Sequence, residues 1–302
     1  MSSRSFRARL RPVKRATGTL LERLWRGGFV LLSKVSPPRA RAWHSPGQLR
    51  VLVVAPHPDD EAIGCGGTVL RHAAAADQVS IAIATDGRRA GGMRDPVGMS
   101  ATRHAEAKLA TQTLAARLEW LGLPEGDWSV EQLREALARL LTDLRPDLVY
   151  APSRVDFHPE HHRVAHALAL ALDDTAALHR PLVRVYQIQV PLTGLLVNLV
   201  SDLRTVLAPS DAALRAYASQ AGTIATIDRR RRYSACRHGL ADAAEEFWEL
   251  PAERYAALHR EPPERWQDHY RGLRAFSLTD PLAWWVGRHG RRQLRAEALL
   301  SA

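Results

Sequence analysis

One six-residue stretch limits the architecture of this chain more than any other. Arg50–Ala55 contains the unbroken apolar run Val51, Leu52, Val53, Val54 and leads straight into Pro56-His57-Pro58. A strand with one wet face alternates apolar and polar residues, whereas a strand covered by helices on both faces has no reason to alternate. The run therefore predicts a central strand of a parallel sheet. The segments after it agree: a helix over 61–76, a strand over 79–85, a helix over 100–116, a strand over 118–121, a helix over 130–144, and a strand over 148–151 after the Pro146 break. Such alternation specifies right-handed βαβ units. The fold class is α/β, a Rossmann-like, doubly wound, mostly parallel sheet flanked by helices. Further on, the pattern gives a His-rich helix over 159–172, strands over 183–190 and 203–207, and a helix over 211–220. The four arginines 229–232 read as an exposed helix face or a loop.

The formal charge of +10 is unevenly spread. Met1–Trp43 holds eleven Lys or Arg against one acid, Glu22, so this segment supplies the whole excess and the remainder is neutral. A neutral body with a cationic extension is not a basic nucleic-acid face, and no nucleic-acid partner is expected. Within the extension, basic residues precede Leu20, Leu21, Leu24, Trp25, Phe29, Val30, Leu31 and Leu32, with Glu22, Arg23 and Arg26 interrupting the apolar stretch. The interruptions exclude a transmembrane helix, which needs about 20 apolar residues. They also leave no signal-peptide core, but they suit a helix lying in a membrane interface. Residues 1–48 are thus read as a basic amphipathic extension ending in a Pro-rich linker over 36–48, and residues 49–302 as the folded domain. Peripheral membrane contact is expected through 1–43. Two cysteines, Cys65 and Cys236, form no disulfide framework, which fits a reducing cytoplasm at the inner face of the membrane. Trp284, Trp285 and the arginines after them read as a helix packed on the domain.

In open α/β sheets, ligands bind beyond the carboxyl ends of the strands, which directs attention to two loops. The first, Pro56-His57-Pro58-Asp59-Asp60-Glu61, puts an imidazole and three carboxylates at the end of the strongest strand. Pro58 biases His57 toward extended backbone and suits a first helical turn. Asp59 and Asp60 then fall at a helix start, where free N–H groups stabilise ionised carboxylates. The second loop, Asp156-Phe157-His158-Pro159-Glu160-His161-His162 with His166 one turn later, holds four of the thirteen histidines. Either His161 alone or the pair His162 and His166, which share a helix face at i, i+4, can complete a metal site with the first loop. Spacing leaves the choice open.

Pro-His-Pro-Asp-Asp-Glu after the first strand, joined to His-Pro-Glu-His about 100 residues later, resembles the PIG-L (LmbE-like) zinc-dependent N-acetylglucosaminyl deacetylases. The likeness extends to Thr85-Asp86-Gly87, Arg103-x-x-Glu106, Leu121-Gly122-Leu123-Pro124-Glu125-Gly126 and Ser219-Gln220. It implies that His57, Asp60 and His161 bind Zn2+, with Fe2+ the other candidate ion. It further implies that Asp59 is the general base, that His158 steadies the tetrahedral intermediate when protonated, and that Arg103 binds an N-acetylated amino sugar. Pro56, Glu125 and Glu160 depart from residues the family often has there; the two glutamates keep the charge on a longer side chain. Two imidazoles and one carboxylate leave a coordination position for water, the mark of a catalytic rather than a structural site. Two other readings stand beside this one: a metal-dependent phosphoesterase, which would want more carboxylates than one compact loop supplies, and a non-catalytic cationic binding protein.

Overall fold

Val51–Ala55 forms the buried strand that its composition predicts, with no residue more than 2% exposed. Its side chains divide the interior in two. Leu52 and Val54 face one core with Ala82, Ala84 and Val149, while Val51, Val53 and Ala55 face the other with Ile81, Ile83 and Tyr150. The computed structural model that carries this arrangement describes residues 40–90, 94–156, 158–221, 227–263 and 287–300, with positions 24 and 27. The interfacial helix expected in the extension, and Trp284 and Trp285, lie outside the described residues.

In chain order the elements are β1 (Arg41–Ala42), β2 (Arg50–Ala55), α1 (Asp60–Ala74), β3 (Gln78–Thr85), α2 (Pro96–Thr113), β4 (Arg117–Leu123), α3 (Val130–Leu144), β5 (Leu148–Ala151), α4 (Pro159–Thr175), β6 (Leu182–Val185), α5 (Thr193–Leu196), β7 (Leu199–Asp202), α6 (Leu207–Ala216), α7 (Ile227–Arg237), β8 (Ala244–Pro251), α8 (Ala252–His259) and α9 (Arg288–Leu300). The eight strands make one sheet of order β1-β7-β8-β6-β5-β2-β3-β4. Every pairing is parallel except the two made by β8. Helices cover both faces: Leu133, Leu168 and Tyr255 pack one core, and Val69, Leu114 and Leu214 the other. No helix among the described residues is long and apolar enough to cross a membrane.

From β2 the chain moves to β3 and β4 on one side, whereas β5 and β6 lie on the other, so strand order reverses between β2 and β5. At such a switch point the outgoing loops diverge and open a crevice. The loops after β2 and β5 are the two histidine loops.

Besides the strand expected over 183–190, which runs 182–185, and the helix expected over 211–220, which runs 207–216, the structure differs from the sequence reading in four places. The chain joins the sheet before residue 49: Arg41 and Ala42 pair with Leu199 and Val200, and Trp43 is 3% exposed in the core against His72 and Arg71. The strand expected over 203–207 lies earlier, at 199–202, and Leu207 opens a helix instead. β8 escapes the sequence reading because Ala244-Glu245-Glu246-Phe247 carries two buried acids on a central strand. Those acids explain the fourth difference. Arg231, in the arginine run, is 3% exposed and donates to Ala62 O (3.0 Å) and Glu245 Oε1 (3.1 Å).

Candidate metal centre and active site

The first loop folds back on itself. Asp60 Oδ2 accepts the His57 amide at 2.9 Å, and the Asp60 amide donates to His57 O at 3.2 Å. Asp59, at the start of α1, has φ +119° and makes no capping hydrogen bond with its side chain. A non-glycine residue there is strained by about 1–3 kcal/mol, which other contacts must offset.

The second loop is organised by Asp156. Its Oδ1 accepts the His158 amide at 3.1 Å and lies 3.1 Å from His161 Nδ1, while Oδ2 accepts the Gln189 amide at 3.2 Å. Pro159 begins α4, and His158 caps it through Nδ1, which accepts the Glu160 amide at 3.3 Å. With its Nδ1 held by a carboxylate, His161 turns Nε2 toward the first loop.

Three atoms then converge. His57 Nδ1 and His161 Nε2 are 3.2 Å apart, His57 Nδ1 and Asp60 Oδ2 are 3.2 Å apart, and His161 Nε2 and Asp60 Oδ2 are 3.3 Å apart. Donors about 2.0–2.1 Å from a tetrahedral zinc stand roughly 3.3 Å from one another, so the triangle fits one small divalent cation. His57, His158 and His161 also bring ligand atoms within 4.8 Å of one another. We favour the set containing Asp60, because it is tighter and because His158 Nδ1 is engaged by the Glu160 amide.

The electrostatics point the same way. Burial alone would lower the His57 pKa, yet the neighbouring Asp60 and Glu125 carboxylates carry it up to about 9. His161 is raised as well: burial opposes the shift, and the Asp156 and Asp60 carboxylates outweigh it. Burial pushes the Asp60 carboxyl up, but the two imidazoles hold it far below the usual range. A pocket that binds protons this avidly is one that a divalent cation would enter by displacing them. His158 runs opposite: burial first, then its cationic neighbours His57 and His161, press it down to about 3. Its neutral ring, with Nδ1 accepting, carries the remaining proton on Nε2. Burial lifts Asp59 to about 6 against the pull of Arg103.

Of the other residues singled out by sequence, His162 and His166 are spent elsewhere, on Asp156 O (2.8 Å) and His259 O (2.9 Å). Arg103 is 2% exposed; Nη2 donates to Pro58 O and sits 3.4 Å from Asp59 Oδ1. It braces the first loop through Nη2. Glu125 Oε1 is 3.6 Å from His57 Nε2, and its Oε2 accepts the Arg89 amide. Glu160 accepts from Trp128 Nε1 and Arg163. The sequence reading gives no role to Asp156 or Tyr217. A carboxylate two residues before His158 is a signal for the first; nothing local marks the second.

Known proteins resemble this chain in sequence and in fold. The family described as GlcNAc-PI de-N-acetylase, PIG-L, matches residues 52–172. A probable N-acetyl-alpha-D-glucosaminyl L-malate deacetylase of Bacillus anthracis is 30% identical over 142 residues, 43% of this chain and 62% of that protein, so the match spans less than two thirds of the relative. Among solved structures, the N,N'-diacetylchitobiose deacetylase of Pyrococcus horikoshii is 21% identical with a TM-score of 0.57, over 68% of this chain and 85% of that one. The 4-carboxy-2-hydroxymuconate hydratase of Pseudomonas putida KT2440 is 19% identical with a TM-score of 0.58, over 66% and 95%. At these identities the two structures share a fold with this chain, and the fold carries both a deacetylase and a hydratase. Both histidine loops lie inside residues 52–172, the stretch that is similar to the PIG-L family.

Proposed function

We propose that this protein is a metal-dependent N-deacetylase that hydrolyses the acetamide of an N-acetylglucosamine-type conjugate. The observation that carries the reading is the triangle of 3.2–3.3 Å between His57 Nδ1, Asp60 Oδ2 and His161 Nε2. The family and the Bacillus relative supply the substrate class. His57, Asp60 and His161 hold the ion, Zn2+ with Fe2+ as the alternative. When bound, the ion lowers the pKa of a coordinated water and polarises the amide carbonyl.

The protein's own groups do the rest. Asp59, beside a ligand but outside the triangle, accepts the proton of the attacking water as its oxygen bonds to the carbonyl carbon. It then returns that proton to the departing nitrogen as the C–N bond breaks, leaving acetate and a free amine. His158 offers its Nε2 proton to the carbonyl oxygen as negative charge develops there. Asp156 fixes the His161 tautomer. The cationic segment 1–43 makes peripheral contact with an anionic membrane face in the cytoplasm, which suits a lipid-linked or membrane-proximal substrate; vesicle binding that survives deletion of 1–39 would exclude that role.

Acetate release from a panel of N-acetylhexosamine glycosides, by full-length protein before and after chelation and with Zn2+ or Fe2+ restored, tests the activity. Metal-dependent acetate release supports it. A metal-loaded protein that releases no acetate refutes it and leaves hydration, the reaction named for the Pseudomonas neighbour, to be assayed next.

A further inference from the structure

Asp59 must keep its carboxylate in place from a strained backbone, and what holds it comes from three separate stretches of chain. The Asp59 amide donates to Glu61 Oε2 at 3.2 Å. Glu61 is fully buried, and its Oε1 accepts the hydroxyl of Tyr217, which is itself 0% exposed. On the other side, Arg103 reaches Pro58 O and Asp59 Oδ1, and its guanidinium lies 5.6 Å from the centre of the Tyr217 ring. Gly87, at φ +64°, permits this: a Cβ there would stand 2.8 Å from Arg103 Nε. The turn carrying Tyr217 is fastened to α2, because the Ser219 amide and hydroxyl donate to the two carboxylate oxygens of Glu106 at 2.8 and 2.7 Å.

The circuit is closed: Asp59 to Glu61 to Tyr217, through Ser219 to Glu106 on α2, and back through Arg103 to Asp59. It takes up Gly87, Arg103-x-x-Glu106 and Ser219, which stand out in the sequence but have no part in the metal triangle. The Tyr217 hydroxyl donates to Glu61 and not to the triangle or to Asp59. It fixes Glu61, and Glu61 in turn holds the Asp59 amide.

We propose that Glu61, Tyr217 and the Glu106–Ser219 clasp are a positioning frame for the Asp59 carboxylate, with Tyr217 as the positioning residue on which it turns. The inference rests on Asp59 being the base. A base displaced by about 1 Å loses on the order of 10²-fold in rate, whereas a lost packing contact would lower stability and leave turnover per folded molecule intact.

The test is a double-mutant cycle on the metal-loaded enzyme with Tyr217→Phe and Asp59→Asn. Tyr217→Phe should lower kcat roughly 10- to 100-fold with KM and metal stoichiometry unchanged. In the Asp59→Asn background it should change the residual kcat less than about 2-fold, since the group it positions is gone. Unchanged kcat, or the same fall in both backgrounds, overturns the inference. Asp59→Asn retaining normal turnover overturns the base assignment instead, so the two failures are distinguishable. If Tyr217→Phe does not fold, Glu106→Gln runs the same cycle, with a fall of about 3- to 10-fold expected only where Asp59 is intact.

Discussion

Asp156 contacts no ion in the proposed arrangement, yet removing it should weaken metal binding and stability through two separable routes. Its Oδ1 lies 3.1 Å from His161 Nδ1, so an ion that displaces one proton from the ring would leave the other on Nδ1 and take Nε2, which faces Asp60 and His57. Carboxylates in this relation typically contribute 10- to 100-fold in affinity, about 1.4–2.7 kcal/mol. The same side chain also accepts the His158 and Gln189 amides, and two part-buried donors left bare cost roughly 1–2 kcal/mol each, the lower part of the range for an unsatisfied group. Asp156→Ala should therefore raise the Kd for Zn2+ about 10- to 100-fold and lower the stability of the metal-free protein by roughly 2–4 kcal/mol. Asp156→Asn separates the effects, because its carbonyl can still accept a backbone amide while its NH2 group favours the wrong His161 tautomer. It should keep most of the stability and lose the affinity. The assays are chelator competition for Kd and urea unfolding in excess chelator for stability. Wild-type Zn2+ affinity in both variants would refute the argument.

Two further outcomes rest on the buried networks. Arg231→Met leaves the Glu245 carboxylate, itself 3% exposed, without its guanidinium partner, and should cost about 3–5 kcal/mol, whereas exposed Arg232→Ala in the same run should cost under about 1; equal effects on urea midpoints would remove the distinction. His72 is buried between Asp77 Oδ2 (2.6 Å) and the Tyr150 hydroxyl (2.9 Å), and burial lowers its pKa from 6.5 to about 4. A depressed folded pKa means the stabilisation is fully present above pH 6.5 and is lost as pH falls toward 4, by up to about 3 kcal/mol; His72→Gln should flatten the stability profile in that window, and an unchanged slope would assign the loss to other groups.

Much of the architecture is legible because its signals are local. The apolar run 51–54 can satisfy itself only between two helical layers, and the Ser129 capping box with Gln132 starts α3 where the period predicts. Both loops of the site follow from residue chemistry at strand ends, and the choice between His161 and the His162–His166 pair comes from resemblance; in the structure His161 lies beside His57, while His162 and His166 meet backbone carbonyls. Interactions closed over long sequence distances cannot be read this way. Glu245 and Glu246 look wrong for a central strand until Arg231, Thr68, Arg237 and His238 are brought to them. Nothing local in the sequence shows that Arg103 also reaches Pro58, Asp59 and the Tyr217 ring. Trp43 gives no sign that it fills a cavity beside His72.

The register of β2 against β5, with Val53 opposite Tyr150, has a thermodynamic corollary. The proposed coordinating groups sit on segments that become neighbours only when these two strands align, so an ion held by them would recognise the assembled sheet and neither half alone. Saturation is thereby linked to cooperativity. At a free concentration 100 times its Kd, an ion selective for the native state adds about 2.7 kcal/mol to global stability. Local opening that separates the two strand ends forfeits that increment at once. Chelation should thus destabilise the sheet as a whole, including positions remote from the crevice.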